Sequence, residues 1–218
     1  MQLYAGLILF GVSMALMVAA GLGLDPWDVF HQGVARATGL RLGWVVIAAG
    51  ALVLLLWIPL RQRPGLGTVS NVIVVGLAVD AALDVLPGPR ALPVRVAYLL
   101  VGIVANAVAT GLYLGAGLGP GPRDGLMTGL ARRGYSVRVV RTAIELAVLA
   151  AGWALGGTVG VGTVLYAASI GPLVHLLIPR LAAGPRPARM AAWRWRYRIR
   201  GRARRPRPSA SRTTCAGG

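Results

Sequence analysis

Apolar side chains run along this chain in blocks of about twenty residues, separated by short polar stretches. A helix needs roughly 20 mostly apolar residues to cross the ~30 Å hydrocarbon core of a bilayer. Six stretches approach that length: 3–20, 42–60, 66–86, 96–118, 139–159 and 158–178. Three of them (3–20, 42–60 and 96–118) contain no charged side chain, and 158–178 holds only His175 and Pro172 as interruptions. Asp80 and Asp84 interrupt 66–86, and Arg141 and Glu145 interrupt 139–159. Each of these pairs is spaced four apart, so it falls on one helix face that can turn toward a protein interior. The pattern predicts six transmembrane helices. A cleaved secretory signal is the alternative for 3–20, but such a signal opens with a positive segment and no Arg precedes this one.

Two segments too short and polar to cross lie between the first and second spans and between the fourth and fifth. Gly21 begins G-L-G-L-D-P-W-D-V-F-H-Q-G-V-A-R, and Gly117 begins G-L-G-P-G-P-R-D-G-L-M-T-G-L-A-R. At an offset of 96 they share eight of sixteen positions, among them Pro26/Pro122, Asp28/Asp124 and Arg36/Arg132. The match continues at offset 95, where Gly65, Gly67, Thr68 and Gly76 meet Gly160, Gly162, Thr163 and Gly171. The chain therefore holds an internal repeat, repeat one over 1–87 and repeat two over 94–179. Proline suits the first helical position, because its φ is preset and its missing donor would be unpaired there anyway. Pro26 and Pro122 should thus open short helices, with Asp25 or Gly121 at the N-cap and Asp28 or Asp124 on the third helical position, facing free N–H groups. These helices are expected to be interfacial or re-entrant.

Three spans per repeat is an odd number, so the second repeat must enter the membrane from the opposite side. The expected fold is all-α: a polytopic membrane domain over 1–181, with six transmembrane helices as two inverted three-helix repeats, each carrying one short helix. Inverted repeats with half helices are the architecture of many secondary transporters, whose sites lie at the repeat interface.

Composition sharpens this picture. The 218 residues are 56 % hydrophobic and 13 % charged, with a mean hydropathy of +0.67, which excludes a water-soluble globule. All 23 basic residues are Arg, and twelve of them crowd between Arg180 and Arg212. Eleven basic and six acidic side chains leave the first 179 residues at only +5, while residues 180–218 carry +12. The tail, 182–218, reads as a basic, disordered cytoplasmic segment. It places both termini in the cytoplasm of a bacterial inner-membrane protein, since the remaining loop charges (Arg61, Arg63, Arg123, Arg132 and Arg133 inside; Arg36, Arg41, Arg90 and Arg95 outside) are nearly balanced. Within it Arg194, Arg196, Arg198 and Arg200 alternate with Trp193, Trp195, Tyr197 and Ile199. Arginine interleaved with aromatics can track nucleic acid, but directly after a last span the commoner partner is anionic lipid, with the aromatics at headgroup depth. The single Cys215 excludes an internal disulfide and a cysteine metal cluster.

The stretches G-L-G-L-D-P-W-D-V-F-H-Q-G from Gly21, L-L-L-W-I-P-L-R-Q-R-P-G-L-G-T from Leu54, G-P-G-P-R-D-G-L-M-T-G from Gly119 and G-G-T-V-G-V-G-T from Gly156 resemble the YczE-like bacterial membrane proteins, grouped with the YitT family. The resemblance covers residues 1–181 and leaves the tail outside. It implies a polytopic bacterial inner-membrane protein of unestablished activity, and it supplies no catalytic residues.

The candidate site residues are Asp28, Asp124, Arg123, His31, Asp80, Glu145 and Arg141. Asp28 and Asp124 hold equivalent places in the two repeats, so they are read either as helix caps or as a pair lining one polar site that takes a proton, a cation or a zwitterion. Arg123 could restore anion affinity in one half. His31, three residues after Asp28, is read as a proton-relay partner or as a solvated interfacial histidine. Asp80 and Asp84 reach either the interior or the interface, and Arg141 and Glu145 can neutralise each other or snorkel. His175 aligns with Asp80. The G-x-G-T motifs are read chiefly as packing surfaces. No metal-ligand spacing, Ser-His-Asp arrangement or P-loop occurs, so no enzyme, metal or cofactor is expected. The functional expectation is a transporter-like protein for a small solute or ion, with a non-transporting accessory or scaffold factor as the alternative.

Overall fold

The computed structural model of the protein describes residues 1–181; the tail, with Arg194, Arg196, Arg198 and Arg200 expected to meet anionic lipid, lies outside the described residues. Those residues form eight helices and no strand: α1 (Gln2–Ala20), α2 (Pro26–Thr38), α3 (Leu42–Trp57), α4 (Leu66–Val85), α5 (Leu92–Gly115), α6 (Pro122–Ala131), α7 (Val137–Ala154) and α8 (Val161–Leu181).

Both short helices begin at the prolines, as the sequence predicts. Several long ones end earlier than their apolar stretches. α3 stops at Trp57, because Pro59 has no N–H to continue the ladder. α5 starts four residues before the expected stretch, with Pro93 in its first turn, and ends at Gly115, beyond which Gly117 turns the chain at φ 69°. α7 closes before Gly156, which takes φ 90°.

Against the six expected spans, four helices (α1, α4, α5 and α8) are by themselves long and apolar enough to cross a membrane. A fifth is reached if α2 and α3, bent by 117° at their junction, are taken as one span. By itself α3 has only 16 residues, and the 18 residues of α7 include Arg138, Arg141 and Glu145.

α1 and α5 form the centre of the bundle and run antiparallel. Gly6 lies against Ala109 and Tyr113, the Asn106 amide donates to Ser13 Oγ (3.1 Å) halfway along, and Arg95 donates to the Ala20 and Gly21 carbonyls at the far end. The core follows this axis, with Leu7, Met14 and Val79 on one side and Met17, Leu24 and Val29 on the other. Gln2 donates to the Leu181 carbonyl (2.6 Å), so the two ends of the described chain meet at one end of the bundle.

The two repeats have matching backbone geometry at aligned positions. After α1 the chain turns at Gly21 (φ 61°) and Gly23 (φ 118°), and after α5 it turns at Gly117 (φ 69°) and Gly119 (φ 129°). These are conformations that an L side chain resists. Each turned segment is held by the other half: the Gly162 N–H donates to the Leu22 carbonyl (2.8 Å) and the Gly67 N–H to the Leu118 carbonyl (3.0 Å). The G-x-G-T motifs thus do more than pack. Each brings a backbone donor to a loop of the opposite repeat.

Candidate functional site

α2 runs from the interior outward. Its last turn reaches the end of the bundle where α1 finishes, since Ala35 and Leu40 share a shallow pocket with Val18 and Leu83. Its first turn lies deep inside, with Trp27, Asp28, His31 and Gln32 all buried. α6 does the reverse. Its Gly129 sits against Leu60 and Gln62 at the other end, while Pro122 begins inside and its carbonyl accepts from the Trp57 indole (3.1 Å). The two short helices therefore point their N-terminal, partly positive ends toward each other.

Arg123 spans the gap between these ends. Its Nη2 lies 3.3 Å from Asp28 Oδ1, its Nη1 3.7 Å from Asp25 Oδ1, and its guanidinium stands over the Trp27 ring at 5.2 Å. Counted in the sequence among the inside-loop charges, Arg123 instead has a side chain only 26 % exposed and is paired with acids 95 and 98 positions away. A buried ion pair keeps its charges only when partners and hydrogen bonds offset desolvation. Here two carboxylates face one guanidinium.

The helix cap is Asp25, whose Oδ1 accepts from the Asp28 N–H (2.8 Å). The capping role expected of Asp28 is thus held by its neighbour, because residue 25 already occupies the position from which a side chain reaches the third N–H. The Asp28 carboxylate is fully buried and turned to Arg123 and to His31, whose Nδ1 lies 3.5 Å from Oδ1. His31 is 2 % exposed, which replaces the solvated-histidine expectation. Three buried polar atoms of this turn (Trp27 Nε1, Asp28 Oδ2 and His31 Nδ1) make no hydrogen bond.

Asp124 does not join its repeat mate. Its Oδ2 accepts from the Tyr113 hydroxyl (3.2 Å) on α5, so the two equivalent aspartates sit in neighbouring environments bridged by the α6 start. Arg141 and Glu145 on α7 form the expected pair (2.8 Å), and Arg141 lies close enough for its charge to act on Asp124 and on Tyr166 of α8.

Asp80 lies elsewhere. Its Oδ1 accepts from the Gly43 N–H (2.7 Å), capping α3, and Arg41 pairs with it at 3.4 Å and with Asp84 at 2.5 Å. A carboxylate near the end of α4 meets the N-terminus of α3 because the two helices run antiparallel, so Asp80 leaves the candidate site for a capping role. His175, its counterpart by alignment, is exposed on α8.

Sequence reasoning missed four contributors: Asp25 as a charge partner, Tyr113, Asn106 and Tyr166. The Tyr166 hydroxyl donates to Asn106 Oδ1 (3.0 Å), which continues to Ser13 as a buried polar chain. The available signal was Asn106, a lone amide in the middle of a charge-free apolar stretch.

A family model described as a family of unknown function (DUF6198) matches residues 1–179. An uncharacterized protein of Haemophilus influenzae is 42 % identical over 180 residues, 82 % of this chain and 83 % of the relative. The uncharacterized membrane protein YczE of Bacillus subtilis is 34 % identical over 181 residues, covering 81 % and 84 %, and the uncharacterized protein YyaS of the same organism is 26 % identical over 181 residues, covering 80 % and 89 %. No solved structure matches.

Proposed function

The chain belongs to the DUF6198 family of membrane proteins, and from that premise we propose that it is a transporter-like protein that carries a small cationic or zwitterionic solute, or an ion, rather than an enzyme. The reading takes α1, α3, α4, α5, α7 and α8 as six spans in two inverted repeats, with α2 and α6 as re-entrant half helices. It places both termini on the cytoplasmic side of a bacterial inner membrane. Matched turns at Gly23 and Gly119, reciprocal loop clasps and the meeting of Gln2 with Leu181 support it.

One observation carries the proposal: the N-terminal ends of two half helices, one from each repeat, converge on a buried cluster in which Arg123 faces Asp25 and Asp28. Secondary transporters of inverted-repeat design bind substrate between such broken helices. With two carboxylates against one guanidinium, the cluster suits a cation or a zwitterion better than a bare anion. The test is uptake of a panel of labelled amines, amino acids and inorganic anions into vesicles holding the purified protein. Uptake of an amine or amino acid that is lost in Asp28→Asn, with the melting temperature kept, supports the proposal. Failure of every solute, or preference for the anions, refutes it. Reporter fusions after Gly39, Pro64, Pro89, Arg133, Gly157 and Gly218 should alternate out, in, out, in, out, in.

A further inference from the structure

We propose that the Asp25–Asp28–His31–Arg123 cluster is a proton-binding site that holds one dissociable proton on its aspartate pair, and that this proton is the coupling ion of the transport reading, which the inference deepens.

The charge balance comes first. The whole chain has six acidic side chains. Asp80 and Asp84 share Arg41 at a solvent-exposed helix end, Glu145 pairs with Arg141, and Asp124 takes the Tyr113 hydroxyl, with Arg141 and Arg123 as the cations acting on it. Asp25 and Asp28 share the single Arg123. With His31 neutral, the cluster carries one uncompensated negative charge in a place where Asp28 is fully buried and Asp25 is 3 % exposed. A lone charge in so poorly solvated a site is neutralised before it is tolerated. Tyr166 on α8 and Arg123 on α6 are the other titratable groups facing the pair. Tyr113, Arg141 and Glu145 face Asp124 instead.

The identity of the neutralising cation follows from the atoms left over. Asp28 Oδ2 and His31 Nδ1 are both buried and make no hydrogen bond, and His31 stands 3.5 Å from the other oxygen of the same carboxylate. An alkali or alkaline-earth ion needs several oxygen ligands at once. Asp25 is turned to its capping bond and to Arg123, the unpaired buried atoms of this turn are one carboxylate oxygen, an imidazole nitrogen and an indole N–H, and no group of three His, Cys, Asp or Glu side chains that could hold a metal ion occurs among the described residues. A proton needs one lone pair. It adds to Asp28 Oδ2, forming an O–H bond and breaking none in the protein, and leaves by the reverse step to a water or to the imidazole beside it. The carboxyl and Arg123 also explain how occupancy reports to both halves: protonation releases the guanidinium of α6 from one of its two partners on repeat one.

The test reads protonation without any transport. Infrared spectra of the full-length protein in vesicles at neutral pH, in light and heavy water, should contain a protonated-carboxyl carbonyl band that shifts on deuteration. The band should survive in Asp124→Asn and disappear in both Asp25→Asn and Asp28→Asn, because either change leaves one carboxylate matched to Arg123. Absence of the band in the wild type, or its survival in both cluster variants, overturns the proposal whether or not the variants fold as well as the parent. Saturable stabilisation by sodium or potassium salts together with loss of the band would assign the site to a metal cation and also overturn it. Should the band behave as expected while no solute is carried, the proton site stands and the transport reading falls.

Discussion

The hairpin α3–α4 of repeat one and the hairpin α7–α8 of repeat two are aligned in sequence, yet they are packed differently. In the first, the helices lie against each other: a Cβ added to Gly76 would stand 2.6 Å from the Gly43 carbonyl, and one added to Gly50 would stand 3.0 Å from Val72. In the second, α7 and α8 hardly touch, and a Cβ on Gly171, the counterpart of Gly76, would meet nothing within 4 Å. α8 buries only Gly162 and Thr163, which clasp the loop of repeat one. Two copies of one design thus stand in two arrangements about the same cluster, the closed one beside α1 and the splayed one beside α5. In the transport account these are the two arrangements that each half adopts in turn, with the cluster at the pivot.

The largest expected effect comes from the group that joins the halves. Arg123→Ala leaves the buried aspartate pair without its counter-charge and should cost about 3–5 kcal/mol, read as a loss of thermal stability in detergent. Arg123→Lys should recover part of it. Equal tolerance of alanine and lysine would mean that the halves are not held together through this residue.

A smaller effect should separate the hairpins themselves. Gly76→Ala forces a methyl into the closed α3–α4 contact and should destabilise by about 2 kcal/mol, as overpacking does. Gly171→Ala meets no packed neighbour, but it precedes Pro172, whose ring crowds a Cβ in the helical region and offsets the helix-propensity gain of alanine. The melting temperature should therefore fall in the first variant and stay close to the parent in the second. In uptake the account expects both to be slower than the parent, because the splayed hairpin must also close.

The smallest effect should come from Arg141→Ala. The pair it breaks is an i,i+4 contact whose Arg side chain is 57 % exposed, worth about 0.5 kcal/mol or less. A loss of several kcal/mol at this site, measured by the same melting experiment, would show that α7 is tied to Asp124 more tightly than its splayed position implies.

What the sequence made legible was local. Pro26 and Pro122 start their helices where proline chemistry puts them, Asp25 caps α2, and the aligned glycines 21, 23, 117 and 119 all take positive φ. The Arg141–Glu145 pair, four residues apart, was equally readable. The long-range pairings were not. Arg123 sits beside Asp124 in sequence, but its partners are Asp25 and Asp28 in the other repeat, and no periodicity encodes that choice. Asp80 looked like an interior charge because hydropathy records depth in a stretch and says nothing of the helix end lying alongside it, here the start of α3. The unequal hairpins were invisible for a further reason: aligned sequence predicts equal packing, and a difference between copies is a property of the conformation. The arginine-rich stretch 194–200 was the clearest charge signal in the chain and lies outside the described residues.

The most direct test of the account is the distance between α7 and α8 in a bilayer. Spin labels at Leu146→Cys and Ala167→Cys, the counterparts of the packed Gly50 and Val72, would be introduced with the native Cys215 replaced by serine, and the distance distribution would be recorded by pulsed electron resonance at neutral and at acidic pH. The account predicts two populations, one long as in the splayed hairpin described here and one short as in α3–α4, with their ratio moving as pH changes and fixed in Asp28→Asn. A single long population that ignores both pH and the Asp28 substitution would contradict it.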